Sequence, residues 1–342
     1  MIAKLDKIDR KIVYELSKNA RTSSENIAKR ISLSRQVVGY RIKRLEKIGI
    51  IKKFRISVNY SAFGYSLCII CLSMKNFKAK DEEEFINFLE NNPNVVWVGA
   101  ISGNWDFLVY IYYKNIKHLD KILQEITSFK KDNLNDVEIM PVIKNCCLNP
   151  LIGDLKQDLK ETTSKYQRDR GSFESLIRKR DDSEEKIILD HKDIKILDML
   201  DENSAASLTE IAKKLNTNKD TISYRIKRLI RAGIIENFII VIDMEKLGFQ
   251  RYMILFELNF DEQEERIISY LSDHKTVHFV AKILGRKNLL VELYCKSIEE
   301  FNKSLMEMRN AMVNSLKTYN IIQVFREIKP YKMLKKELNL VQ

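Results

Sequence analysis

Long apolar runs are missing from this chain. No stretch approaches 18 uncharged apolar residues, and the longest candidates are strand-length segments such as Leu67 to Leu72, so no membrane-spanning helix and no membrane partner are expected. The N-terminus lacks an apolar signal-peptide core, and a cytoplasmic location is the expectation. With 10 glycines and 4 prolines in 342 residues there is little material for low-complexity arms. Five cysteines, an odd number, do not make a disulfide framework, and four scattered histidines offer no metal pattern, so reduced thiols and neither metal nor cofactor are expected. Cys68 and Cys71 form a C-x-x-C inside the run Leu-Cys-Ile-Ile-Cys-Leu. Residues three apart on a strand point to opposite faces, so both read as core cysteines rather than a redox or metal pair, as do Cys146 and Cys147.

What is present is a globular composition, 45% hydrophobic and 31% charged, in a length that suits several domains. The net charge of +12 is unevenly spread. Residues 1 to 60 hold 16 Lys/Arg against 5 Asp/Glu, a net of +11, whereas residues 61 to 150 sum to −2. A compact basic segment is the footprint of phosphate binding, since each neutralised phosphate releases counterions.

An internal repeat organises the chain. Residues 5 to 54 align without a gap to 189 to 238 at an offset of 184, with 21 identities in 50 positions, where chance gives about two or three. The match includes Ile27-Ala-Lys29 with Ile211-Ala-Lys213, Tyr40-Arg-Ile-Lys-Arg-Leu45 with Tyr224-Arg-Ile-Lys-Arg-Leu229, and Gly49-Ile-Ile51 with Gly233-Ile-Ile235. Gly64 answers Gly248 at the same offset and Gly103 answers Gly285 at 182, so the whole unit was duplicated. The expected domains are 1–60, 61–150, 187–246 and 247–342, with a charge-balanced linker over 151–186.

Each copy opens with three helices. Ile8, Ile12 and Leu16, and Ile196 and Leu200, recur at helical spacing; Ser207-Leu-Thr-Glu210 reads as a capping box; Ser34 and Asn218 are N-caps of a third helix. On that helix Val38, Ile42 and Leu45, or Ile222, Ile226 and Leu229, form a core stripe. Opposite lie Gln36, Tyr40, Lys43 and Lys47, answered by Asp220, Tyr224, Lys227 and Arg231. Amide, phenol and cations on an outward face suit base edges in the major groove, so double-stranded DNA is the expected partner. Ser34 and Arg35 at the helix start, with Lys219 in the second copy, join this face, while Arg41 and Arg44 flank it as phosphate holders and Arg225 and Arg228 are their counterparts among the expected DNA-binding residues. After the helix stop at Gly49-Ile-Ile51, Lys52 to Arg55 read as a short β wing.

Beyond, Tyr252, Ile254, Phe256, Leu258 and Phe260 alternate as a half-buried strand; Asp81 to Asn91 reads as a helix; Val95 to Gly99 and Phe107 to Tyr113 form a hairpin-like pair. Ile116, Leu119, Leu123 and Ile126 mark a helix, and Asp136 to Lys144 a last strand. Leu-Asp-x-x-Asp, the helix ending in Tyr-Arg-Ile-Lys-Arg-Leu-Glu and the following Gly-Ile-Ile together resemble the Lrp/AsnC family of transcriptional regulators. The resemblance implies an α+β chain with two winged helix-turn-helix domains, each followed by a βαββαβ ferredoxin-like sensing domain. It also implies a small effector, such as an amino acid, near a Gly-x-x-Asp loop. Copy one matches at Gly103, Asn104 and Asp106; copy two departs, with Gly285-Arg-Lys-Asn288.

A covalent tandem could act as a one-chain pseudo-dimer, and a homo-oligomer is expected of the family. The copies have diverged, since residues 186 to 246 hold 11 Lys/Arg against 10 Asp/Glu and Asp220 stands where copy one has Gln36. Two other readings remain. Some relatives of the family are siroheme decarboxylases, which bind a tetrapyrrole and no DNA, but these need His and basic residues in the sensing cleft, where this sequence is poor in both. The other is an architectural DNA-binding protein without an effector.

Overall fold

The computed structural model describes residues 2–129, 131–149, 151–153, 155, 188–259 and 263–331. Nearly all of the expected linker over 151–186 lies outside the described residues, as does 332–342. The described residues fall into two compact units, one holding 2–63, 153, 155 and 188–248, the other 64–152 and 249–331.

The first unit contains both helix-turn-helix segments. Copy one runs α1 (Lys7–Lys18), α2 (Ser24–Ile31), α3 (Arg35–Lys47) and strand β1 (Ile51–Val58). Copy two repeats it as α6 (His191–Glu202), α7 (Leu208–Lys214), α8 (Lys219–Arg231) and β6 (Ile235–Ile242). Ser207 accepts from the Glu210 N–H as its spacing predicts, but complete capping boxes form one helix earlier, where Asp6 and Asp9, and Asp190 and Asp193, satisfy each other's backbone donors.

The expected wing takes another form. β1 pairs antiparallel with β6, so the strand after each helix-turn-helix finds its partner in the other copy. Arg55 faces Ile239, its own counterpart at the offset of 184, and Phe54 faces Ile240 while Ile56 faces Phe238. The register is therefore centred on a pseudo-two-fold axis through the Arg55/Ile239 pair. Backbone bonds obey the same symmetry. Ala20 N–H donates to Phe238 O and Ser204 N–H to Phe54 O; Asn59 N–H donates to Ile234 O and Asp243 N–H to Ile50 O. A lone strand would have no ladder partners for its backbone groups, and the duplicate supplies them along one edge.

The second unit holds the two βαββαβ halves: β2 (Ser66–Met74), α4 (Ala79–Asn91), β3 (Val95–Ser102), β4 (Phe107–Tyr113), α5 (Ile116–Phe129) and β5 (Leu134–Leu148), then β7 (Gln250–Leu258), α9 (Glu264–Asp273), β8 (Val277–Ile283), β9 (Leu289–Cys295), α10 (Ile298–Ala311) and β10 (Leu316–Lys329). Each half has the order fourth, first, third, second strand. β5 then pairs with β8 and β10 with β3, closing an eight-stranded barrel. On the helix side of each half lies a core, with Cys68, Ile70 and Leu72 against Phe85 and Leu89 in one, and Ile254 and Phe256 against Ile267 and Leu271 in the other. Cys68 and Cys71 are both fully buried, and burial pushes the Cys68 thiol up to about 12. They are core residues, as their strand placement predicts.

Between the two half-sheets a polar group is buried that strand alternation does not announce. Arg251 pairs with Glu292 at 2.7 Å and lies 4.3 Å over the Trp97 ring, whose Nε1–H donates to Glu327 at 2.8 Å. Burial pulls the Arg251 pKa down, but the Glu292 carboxylate outweighs it and holds the guanidinium above its ordinary value. The Trp97 ring lies across Gly99, where an added Cβ would stand 2.4 Å from the indole. Gly99→Ala therefore should cost about 1–3 kcal/mol by forcing the ring out of place, read as a lower denaturation midpoint; an unchanged midpoint would show that the ring moves freely.

Candidate nucleic-acid interface

α2 leads into α3 through Ser32 in the left-handed region (φ 57), and α7 into α8 through Asn216 (φ 47), short polar residues that tolerate it. This sharp turn sets the two helices of each module at an angle. The third helices then begin where the N-cap residues predict: Ser34 Oγ accepts from Val37 N–H and Asn218 Oδ1 from Thr221 N–H. Val38, Leu45, Ile222, Ile226 and Leu229 are fully buried, whereas Ile42 is half-buried.

The opposite face is open. Tyr40 is 70% exposed and Tyr224 64%. Around Tyr40, Ser34, Arg35, Gln36, Lys43 and Lys47 are exposed; around Tyr224, Lys219, Asp220 and Arg231 are exposed and Lys227 is half-buried. Val37, which its spacing did not single out, joins this face at 40% exposure, and it is a methyl-bearing side chain of the sort that contacts thymine.

Arg41 and Arg44, expected at phosphates, and their counterparts Arg225 and Arg228 form ion pairs with the first helix of their module. Arg41 reaches Asp6 at 2.6 Å and Asp9 at 2.9 Å, and Arg44 pairs with the other Asp9 oxygen. Arg225 reaches Asp190 at 2.7 Å and Asp193 at 2.8 Å, with Arg228 on Asp193. The Asp9 and Asp193 side chains are buried, and a buried carboxylate is tolerable only when paired. The two arginines of each module thus fasten the third helix to the first. Leu-Asp-x-x-Asp is the matching half of that clamp, serving as capping box and as counter-ion at once. Burial pushes the Asp6 and Asp190 carboxyls up, but the arginine and backbone N–H bonds prevail and hold both below the ordinary value of 3.8. Their contribution to stability is present above about pH 4 and is lost as acid carries the pH through the lowered values.

The Gly103 loop is equally committed. Gly103 sits at φ +116, a conformation suited to glycine. Asp106 accepts from Met74 N–H at 2.6 Å, tying the turn to the end of β2. In copy two Asn288 accepts from Leu258 N–H at 3.0 Å, the equivalent bond. The Asp-to-Asn difference keeps this turn-building bond. The remaining loop residues, Gly103 and Asn104, are exposed. Among the described residues, no three His, Cys, Asp or Glu side chains gather as a metal site, and no helix is long and apolar enough to cross a membrane.

Two measurements check these assignments. Asp9→Ala should cost about 2–3 kcal/mol, discounted from a fully buried pair because Arg44 is partly exposed; a change under about 0.5 kcal/mol would refute the clamp. Asp106→Asn should leave stability unchanged while Asp106→Ala costs about 1 kcal/mol, and equal losses in the two variants would contradict the turn-building role.

Comparison with known proteins agrees with this geometry. A winged helix-turn-helix DNA-binding model matches residues 5–52 and again 189–236, and a Lrp/AsnC ligand binding domain model matches 67–151. An uncharacterized HTH-type transcriptional regulator of Pyrococcus abyssi is 31% identical over 145 residues, which is 39% of this chain and 98% of that protein. HTH-type transcriptional regulator FL11 of Pyrococcus furiosus is 34% identical over 126 residues, 37% of this chain and 82% of that protein. The crystal structure of the siroheme decarboxylase NirDL superposes with a TM-score of 0.65 over 98% of both chains at 14% identity, a likeness of fold alone. Two helix-turn-helix segments at a fixed offset, the acidic clamp beneath each third helix, and full-length similarity to single-copy regulators place this chain in the Lrp/AsnC family of transcriptional regulators, as a tandem duplication.

Proposed function

We propose that the chain binds an asymmetric operator in double-stranded DNA as a one-chain pseudo-dimer, with α3 and α8 as its two recognition helices. It acts as a regulator rather than an enzyme, in the cytoplasm. One observation carries this: both third helices present an open tyrosine face from a single unit whose strands pair about a pseudo-two-fold axis.

Copy one supplies most of the affinity. Arg35, Lys43 and Lys47 are exposed cations around Tyr40, with Gln36 to address adenine. Copy two sets Asp220 where Gln36 would be, able to accept from cytosine but repelling phosphate, so its half-site differs in sequence and weight. With Arg41 and Arg44 fastened to the first helix, the phosphate contacts fall to Arg35, Lys43 and Lys47. The ligand-binding domain match over 67–151 supports modulation by a small effector such as an amino acid, and Gly103, Asn104 and Asp106 stand as its candidate contacts. Asp106 is exposed and its Met74 bond engages one carboxylate oxygen, so a ligand could meet the other oxygen together with the exposed Gly103 and Asn104.

A gel shift series tests the division of labour. Replacing Arg35, Lys43 and Lys47 by Gln should weaken binding by about 10- to 100-fold and reduce the salt slope by about 2–3, at roughly 0.9 per phosphate lost. The same change at Lys219, Lys227 and Arg231 should cost several-fold less. Equal losses would sink the asymmetric reading, and an intact chain that shifts no promoter DNA at low salt would sink DNA binding itself.

A further inference from the structure

The copies are related by a pseudo-two-fold axis, but the groups buried near it are not. Arg55, on the axis, is 5% exposed and reaches Asp201 of α6 through Nε at 2.9 Å and Nη2 at 2.6 Å; Asp201 is 3% exposed. Lys53 adds a more distant contact at 3.8 Å. The mirror positions of these two residues are Ile239 and Ser17. Ser17 donates to its own helix at Tyr14 O, so the position answering Asp201 carries no charge, while Arg21 of copy one meets copy two differently, donating to Ser204 O and lying over the Phe238 ring. α6 packs on β1 and α1 on β6, and the Arg55–Asp201 pair lies at the first of these seams, with Ser17 and Ile239 at the matching places in the second.

We infer that this pair is a pairing code, by which a copy-one module accepts a copy-two module and rejects its own kind. Two copy-one modules in the same register would set Arg55 against Arg55 at the axis, each facing Ser17 where a carboxylate is needed. Two copy-two modules would leave each Asp201 buried opposite Ile239 with no cation. A buried charge deprived of its partner is heavily penalised, so both homotypic arrangements are disfavoured while the heterotypic one is satisfied.

The second unit carries a one-sided contact of the same kind. Lys329 of β10 is buried and donates to Leu89 O and Asn92 O at the end of α4. Its counterpart on β5 is Cys147, with no charge to offer, and there Asn149 takes the carbonyl of Ser272 instead. The two halves have become complementary rather than interchangeable. The partner this surface fits is therefore the other half of the same chain, and neither a second identical half nor a single-copy relative lacking the matching charge.

The test uses the full chain with a protease site inserted between residues 156 and 187, cut after folding, then unfolded in urea and refolded so that the halves re-sort. Native mass spectrometry counts the three pairings. The ratio of heterotypic particles squared to the product of the two homotypic ones should exceed its statistical value of about 4 by more than about 100-fold, the discrimination expected of one unpaired buried charge. In the chain with both Arg55→Ile and Asp201→Ser, which copies the uncharged mirror residues, that excess should fall at least about tenfold. A statistical mixture from the unaltered sequence, or the same excess in the double variant, overturns the proposal. On the uncut chain, the single changes Arg55→Ile and Asp201→Ser should each lower the melting temperature more than the two together. Additive losses overturn it too, whether or not the cut halves refold.

Discussion

A βαββαβ sheet built alone ends in two strand edges whose N–H and C=O groups have no ladder partner, and a single strand after a helix-turn-helix is in the same position. Pairing with the duplicate removes both edges of each half-sheet and gives each lone strand a ladder partner on one side. β1 pairs with β6 in one unit, and β5 with β8 and β10 with β3 in the other. Because the two copies carry nearly the same strands, every pairing occurs about a pseudo-two-fold axis. The presentation of two third helices from one unit follows from that symmetry and needs no separate device.

Within each module the decisive force is electrostatic. A buried aspartate on the first helix draws two arginines of the third helix inward, which fixes the helix that faces outward on its other side. Cations of one helix thus divide by angle. Those near the core stripe hold the fold, and those a third of a turn further round are left for a polyanion. Basic composition alone does not distinguish the two roles, so the footprint of +11 in residues 1 to 60 overstates what is available to DNA.

Much of this was legible in the sequence. The offset of 184 gave the duplication, the three-four spacing of Val38 and Leu45 gave the buried stripe, and Ser34 and Asn218 marked the starts of the third helices. Illegible parts share a physical cause, namely partners distant along the chain. A helical wheel gives the direction of Arg41 but not the Asp9 that waits 32 residues away. Hydrophobic alternation identifies β1 as a strand but cannot say that its neighbour is β6. The Gly-x-x-Asp spacing marks the Gly103 loop but does not reveal that Asp106 accepts from Met74 N–H, 32 residues away. The one available signal for the buried Arg251 and Glu292 was the presence of two charges within otherwise apolar strands, and charge at a strand end reads just as easily as exposure.

Closure of the barrel also orders events in time. Ile101 on β3 pairs with Val324 on β10, so the edge of the first half-sheet waits for a segment made far later. Contacts of such long sequence separation are the slow ones in folding, because loop-closure entropy is lost before they form. During synthesis at roughly 5–20 residues per second, the first half therefore stands for many seconds with β3 and β5 open to any passing strand. A barrel that has no edges at equilibrium still exposes them on the ribosome, and its vulnerability to aggregation belongs to that interval rather than to the native state.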